Sequence, residues 1–384
     1  MTAVPEPTLL PIQPELETCS PAARIRPGSF AGRLKTELVR SARAHSLLAI
    51  LVLVYWATAF AVSHRVGLRQ DSYLDMLTTG LQAMTVLYFG GLLIAYVVYV
   101  MVAVRPRRLV RHLWGNLASR VLTLRRLCIA LPVALLLPML LSSYSSLKGA
   151  IPLIHVYDWD PTLAHMGGLL HGGRQPWEWL QPVLGHPWVT LSVNVVYNSW
   201  YFVFYGIFIW QMTSTSRPRL RMQYLLACVL QWALLGNLVA TLMPSVGPAF
   251  YGRLVGGPDP YAPLMAYLHS VDSLQPVWAL QTQDLLWQCH ANKDDLVGCG
   301  ISAMPSMHVA TAFSFALLGF ATDRRLGAVL AVYCALILIG SVHLGWHYAS
   351  DGYVGILGTW LIWLSVGWFL ARPRVSRWLA LEQA

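Results

Sequence analysis

Charge is what this sequence lacks. Asp, Glu, Lys and Arg make up 11% of its 384 residues, while 56% are hydrophobic; soluble domains carry roughly 25% charged residues. An ordinary soluble globular class is thereby excluded. Acidic side chains are the scarcest, 17 against 27 basic ones, which leaves a formal net charge of +10. That excess does not point to nucleic acid, because no basic patch lies outside the segments flanking apolar runs. It reads as a topology signal with an attraction for anionic lipid. There is no internal repeat of convincing period, which weakens a transporter built on duplicated halves. The first 45 residues lack the apolar core that a signal peptide needs; Pro-rich and polar, they are expected to form a disordered or surface-lying cytoplasmic tail.

What is present is a series of uncharged runs. About 20 apolar residues cross a bilayer core, and a charge at its centre costs roughly 2.5–3.5 kcal/mol. The runs lie near Ser46–Ser63, Met76–Val104, Leu127–Leu147, Pro187–Ser216, Met222–Gly252, Ser302–Thr322, Leu326–Val342 and Gly352–Ala371. They predict an all-α, polytopic integral membrane protein of about eight transmembrane helices. Placing both termini in the cytoplasm puts 21 of the 27 Lys and Arg on the cytoplasmic side, as the positive-inside rule requires. Only Arg65, Arg69, Lys148, Arg174, Arg253 and Lys293 fall outside. The expected organisation is a tail (1–45), two helices with a basic loop (46–126), a six-helix catalytic core (127–371) and a short cytoplasmic tail (372–384).

Two long segments face outward in this scheme. Residues 148–186 mix Trp, His and Gly, which suggests helices lying in the interface, because Trp prefers the headgroup level. Residues 244–300 begin with Pro244-Ser-Val-Gly-Pro248 and are expected to form a structured lid. Cys289 and Cys299 lie close together there, in a compartment that tolerates disulfides; a bond between them is expected, with two free thiols as the alternative.

Chemistry is concentrated in two blocks, Pro305-Ser-Met-His308 and Ser341-Val-His-Leu-Gly-Trp-His347-Tyr-Ala-Ser-Asp351. The first stands where a span begins. With Pro305 at the first helical position and Ser302 or Met304 as the cap, the free amides of Ser306, Met307 and His308 would form a site for phosphate. The Ser306 hydroxyl could add a bond, and His308 could protonate a departing oxygen. In the second block, His347 and Asp351 share a face if helical. The carboxylate can then hold one imidazole N–H and leave the other nitrogen as nucleophile. An Asp inside a span is read as functional by default. The structural alternatives are a capped helix with an interfacial His and a His–Asp bond at the mouth of the last span. His343, His347 and Asp351 also repeat at the spacing of a helical metal face, but Gly345 argues against a helix there. A channel or carrier would place its polar residues near mid-membrane, whereas these cluster at one face.

The paired blocks resemble the phosphatidic-acid-phosphatase type 2 superfamily, which carries Pro-Ser-x-His and, one hairpin later, His-x-x-x-Asp. Pro-Ser-Met-His-Val-Ala (305–310) and His-Tyr-Ala-Ser-Asp-Gly-Tyr-Val-Gly (347–355) are most similar to its inositolphosphotransferase branch, which includes inositol phosphorylceramide synthases. The resemblance covers roughly residues 127–371. It implies that His347 attacks phosphorus and becomes a phosphohistidine, that Asp351 orients it, and that His308 serves as acid and then base. It implies no metal and calls for no cofactor.

The chain departs from the phosphatases of that superfamily in having Ser341 where they carry an Arg, and in lacking their Lys-x6-Arg-Pro block. Another cation must stabilise the phosphoryl oxygens. The candidates are Arg253, placed first because it follows the Pro248 stretch, then Arg174, Lys293, Lys148 and His343; Tyr348 is grouped with them as substrate-binding. The expected partners are the bilayer, a phospholipid or polyprenyl-phosphate donor, and a lipid or sugar alcohol as acceptor. A lipid-phosphate phosphatase that uses water is the competing reading.

Overall fold

The computed structural model describes residues 29–68, 78, 82, 86, 90–117, 119, 122–292 and 299–381. Outside them fall the expected tail up to residue 28, most of the first half of the Met76–Val104 run, and Arg69, Arg120, Lys293, Asp294 and Asp295. Every regular element among the described residues is a helix. In chain order they are α1 (Phe30–Val66), α2 (Gly90–Val104), α3 (Leu109–Asn116), α4 (Leu124–Ile154), α5 (Asp160–Leu170), α6 (Pro176–Leu184), α7 (Pro187–Asn198) and α8 (Trp200–Thr213). There follow α9 (Pro218–Leu242), α10 (Tyr251–Leu254), α11 (Ala262–Asp272), α12 (Trp278–Asn292), α13 (Met307–Thr322), α14 (Arg324–His343), α15 (Ala349–Ala371) and α16 (Pro373–Trp378).

Five of these, α1, α4, α9, α14 and α15, are long and apolar enough to cross a membrane; α2 and α13 are apolar but shorter. The chain is an all-helical protein with several membrane-spanning helices. Helix α1 begins within the expected tail, because Ser29 caps it by accepting the Gly32 N–H at 3.2 Å. The Pro187–Ser216 run is two helices that meet at Ser199. There the Ser199 hydroxyl bonds the Val196 carbonyl at 2.6 Å and the Asn198 amide donates to the Asn194 carbonyl at 2.8 Å. Such side-chain bonds compete with the helical ladder.

Helices α13 and α14 form a tight hairpin joined at Asp323, whose carboxylate accepts the Arg325 and Leu326 N–H groups at 2.9 and 3.1 Å. Their backbones approach closely at Gly319, where a Cβ would stand 2.9 Å from the Cα of Gly327; small residues permit such contacts between membrane helices. Helix α15 lies across the start of the hairpin, and α9 packs against both α13 and α15. The core between them contains Phe315, Leu318, Met222 and Leu226. Helix α9 carries a π-helical stretch, Gln231–Val239. Toward its start, the buried Arg221 donates to the carbonyls of Gln211, Met212 and Ile129 and to His45 Nε2. That cation ties α1, α4, α8 and α9 together at the end of the bundle remote from the two motif blocks.

Candidate active site

The turn between α14 and α15 carries His347. Gly345 makes it possible by adopting φ 72°, in the left-handed region. Helix α15 starts only at Ala349, so His347 and Asp351 do not share a helical face as the spacing suggests. They meet because Asp351, in the first turn of α15, reaches back: its Oδ2 accepts the Tyr348 N–H at 3.0 Å and stands 3.4 Å from His347 Nδ1. The nearer partner of Nδ1 is the Ala303 carbonyl, at 2.8 Å. A carbonyl can only accept, so Nδ1 carries the hydrogen and Nε2 of the neutral ring carries the lone pair. Asp351 is wholly buried, and its Oδ1 has no partner among the described residues.

Helix α13 starts two residues later than expected, at Met307 instead of Pro305. Its cap is Ser306, whose Oγ accepts the Val309 N–H at 3.5 Å, rather than Ser302 or Met304, and Pro305 precedes the helix instead of opening it. The Ser306 N–H is not free for phosphate, since it donates to the Asp351 carbonyl at 3.0 Å. This bond joins the two motif blocks through their backbones. His308 sits in the first turn, stacked on Tyr197 (centroids 4.9 Å, planes 20° apart), with Trp200 at 4.4 Å and Tyr201 at 6.0 Å. Its ring makes no hydrogen bond with the described residues. Trp200 is itself fixed by its Nε1–H, which donates to Thr311 Oγ1 at 2.8 Å.

Both histidines line one cavity of about 360 Å³, together with Lys148, Asn198, Tyr201 and Trp232. That volume falls in the range of small-molecule sites. Lys148 is the one Lys or Arg among its described lining residues, and no Asp or Glu is among them. The cation placed first from sequence stands elsewhere: Arg253 pairs with Asp284 at 4.0 Å and lies over the Trp287 ring. Arg174 is engaged by Glu178 at 3.3 Å and by Trp179. His343 is buried away from the cavity with Nε2 on Thr190 Oγ1 at 2.9 Å, so it does not join His347 and Asp351 in a cluster. Ser306 and Tyr348 are buried behind the cavity wall; the Tyr348 hydroxyl donates to Asp160 Oδ1 at 2.7 Å.

The Cys289–Cys299 disulfide is formed. It links α12, which contributes Thr282 and Leu286 to the cavity wall, to the segment Gly300–Ser302, which contributes more of it. A Cβ on Gly300 would stand 2.9 Å from the Lys148 backbone, so this segment presses directly on the end of α4. Lys148 had a signal in the sequence, a lone cation at the end of a long uncharged run. The Ala303 carbonyl had none, since a backbone acceptor carries no residue identity. The aromatic wall was equally hidden, because aromatic residues recur throughout the chain.

A helical membrane protein with two histidines and a lysine around one cavity at the mouth of its core helices defines the class. The chain belongs to the PAP2 superfamily: the model of that family matches residues 162–365, more than half of the chain. The match takes in His308, His347 and Asp351 and begins after Lys148 and Asp160. No curated protein and no solved structure matches the chain. Members of the superfamily are phosphatases or phosphotransferases, and an enzyme acting on phosphate esters at a membrane is the activity broadly supported.

Proposed function

We propose that the protein is a lipid phosphotransferase that moves a phosphate-bearing head group from a lipid donor to an alcohol through a phosphohistidine on His347. The observation that carries this reading is the fixed orientation of His347, with Nδ1–H on the Ala303 carbonyl and Nε2 free, beside His308 on one cavity.

In the first half-reaction, the Nε2 lone pair forms the P–N bond as the P–O bond to the lipid alcohol breaks. His308 in its protonated form gives that oxygen its proton. In the second half, His308 takes the proton of the acceptor hydroxyl while its oxygen bonds phosphorus. The P–N electrons then return to Nε2. Asp351, 3.4 Å from Nδ1, stabilises the positive charge that the ring gains on phosphorylation, and Ala303 keeps the ring oriented. Lys148 neutralises the phosphoryl oxygens, the role first sought in Arg253; preorganised cations of this kind are a main source of rate in phosphoryl transfer. The positive-inside distribution supports a site that faces the periplasm or lumen, with both termini cytoplasmic. The motif spellings at 305–310 and 347–355 support the inositolphosphotransferase-like branch.

The test uses purified protein with phospholipids labelled at phosphorus, with and without a membrane lipid extract. Label on a new lipid only when extract is present supports transfer. Free phosphate released regardless of extract would replace this reading by a phosphatase. Acid-labile, alkali-stable label on His347 is expected in either case, and its absence would sink the phosphohistidine.

A further inference from the structure

Asp160 opens α5, is completely buried, and takes no part in the steps above. Its Oδ1 accepts the Gly247 N–H at 2.9 Å, the Val246 N–H at 3.0 Å and the Tyr348 O–H at 2.7 Å; Oδ2 also meets the Val246 N–H at 3.0 Å. Burial pushes its carboxyl above the usual carboxylate range, and the bonds from Tyr348, Gly247 and Val246 pull it back. No cation pairs with it among the described residues.

The donors come from two segments only, the Pro244–Pro248 loop and the turn that holds His347. That loop in turn holds the acceptor of His347. The Ser245 carbonyl accepts the Ala303 N–H at 2.9 Å, and Ser245 Oγ accepts the Met304 N–H at 3.0 Å. Just beyond, the Ala249 N–H donates to the Gly345 carbonyl at 2.9 Å. At Gly247, where φ is 87°, a Cβ would stand 2.7 Å from the Trp346 carbonyl oxygen and 3.0 Å from the Ala303 Cβ. The loop therefore packs without clearance against both segments that fix the His347 ring.

We propose that Asp160 is a positioning residue for phosphoryl transfer. It clamps the Pro244–Pro248 loop and Tyr348 so that the Ala303 carbonyl holds His347 Nδ1 and aims Nε2 into the cavity. The proposal rests on His347 being the nucleophile. It also gives Tyr348 a role other than the substrate contact expected from sequence. A misplacement of reacting groups by about 1 Å can cost about 100-fold in rate, so a clamp that reaches the nucleophile through the loop and Ala303, and through Tyr348 beside it, is kinetically visible.

The experiment compares Asp160→Asn and Tyr348→Phe with the wild type in detergent micelles. Asp160→Asn turns an amide N–H₂ toward backbone N–H donors, whereas Tyr348→Phe removes a single bond at constant ring volume. The readouts are phosphoenzyme labelling rate per labelable site, donor KM, and melting temperature. Expected are a labelling rate lowered about 10- to 100-fold in Asp160→Asn and about 3- to 10-fold in Tyr348→Phe, with donor KM within about twofold in both. Where Asp160→Asn does not fold, Tyr348→Phe decides. Loss of labelable sites in proportion to lost thermal stability, with surviving sites reacting at the wild-type rate, would reduce Asp160 to a structural residue and overturn the proposal. So would wild-type rates in both variants. A wild type that never labels on His347 overturns the functional reading and this proposal together, which separates that failure from the other two.

Discussion

The two histidines of the cavity are held in opposite ways. His347 sits in a turn, nearly buried, with one nitrogen bonded to a backbone carbonyl and faced by a carboxylate. His308 sits on a helix, half-buried, with aromatic rings on its faces and no hydrogen bond to the described residues. Hydrogen bonds fix which nitrogen carries a proton; ring stacking fixes a plane and leaves both nitrogens open. A nucleophile needs the first kind of restraint, because only one lone pair may point at phosphorus. A group that gives a proton to one oxygen and takes one from another needs the second.

The strongest way to break this comparison is to remove each ring in turn. His347→Ala should abolish phosphoenzyme and lower turnover by about 10⁴-fold or more, as loss of a nucleophile does elsewhere, while the protein still inserts. His308→Ala should cost about 10²–10⁴-fold. The two variants should part on a donor whose leaving group is a weak base, such as a nitrophenyl ester. A good leaving group needs no acid, so labelling of His308→Ala should recover by at least about tenfold while His347→Ala stays unlabelled. Equal failure of both variants on that donor would contradict the division of roles.

The comparison sharpens further at the cations. Lys148→Met should lower turnover by about 10²-fold, and Lys148→Arg should restore part of it. Arg253→Ala should leave turnover within about twofold, because Arg253 is engaged by Asp284 and Trp287 outside the cavity wall. The reverse ranking would return the phosphate-binding role to Arg253.

That ranking also marks where the sequence was legible. Uncharged runs announced the helices, since a buried charge in lipid is costly whatever the tertiary fold. The spelling of 305–308 and 347–351 announced the histidines and the carboxylate, because side-chain chemistry is written in residue identity. The cation was ambiguous: Arg253 and Lys148 both flank spans, and only packing decides that α4 turns its end toward His308 while α10 turns away. The hold on His347 was less legible still. Its bond runs to a carbonyl in another segment, 44 residues earlier, and nothing in the identity of Ala303 reveals it. The break at Ser199 hid for a related reason, since a Ser or an Asn continues an apolar run on composition alone yet diverts backbone carbonyls when packed. The cap falls at Ser306 rather than at the expected Ser302 or Met304, and the Ser306 N–H also bonds the Asp351 carbonyl, a long-range contact that local cap preferences do not contain.

The finest test of the stacking restraint lies in the two rings that flank His308. Trp200→Phe shortens the ring beneath the imidazole and removes the indole N–H from Thr311 Oγ1; Thr311 keeps its own bond to the Met307 carbonyl at 2.6 Å. The freed space lets His308 tilt, and the acceptor-dependent step should slow by about 3- to 10-fold. Tyr197→Phe should do much less. It preserves the ring stacked at 4.9 Å and deletes a buried hydroxyl that has no hydrogen-bond partner among the described residues. Removing an unsatisfied polar group relieves a desolvation cost of about 1–3 kcal/mol rather than breaking a contact. Turnover should therefore stay within about twofold, and the melting temperature should hold or rise. If Tyr197→Phe instead impaired transfer as much as Trp200→Phe, the hydroxyl and not the ring face would be what His308 needs, and stacking would not be the restraint.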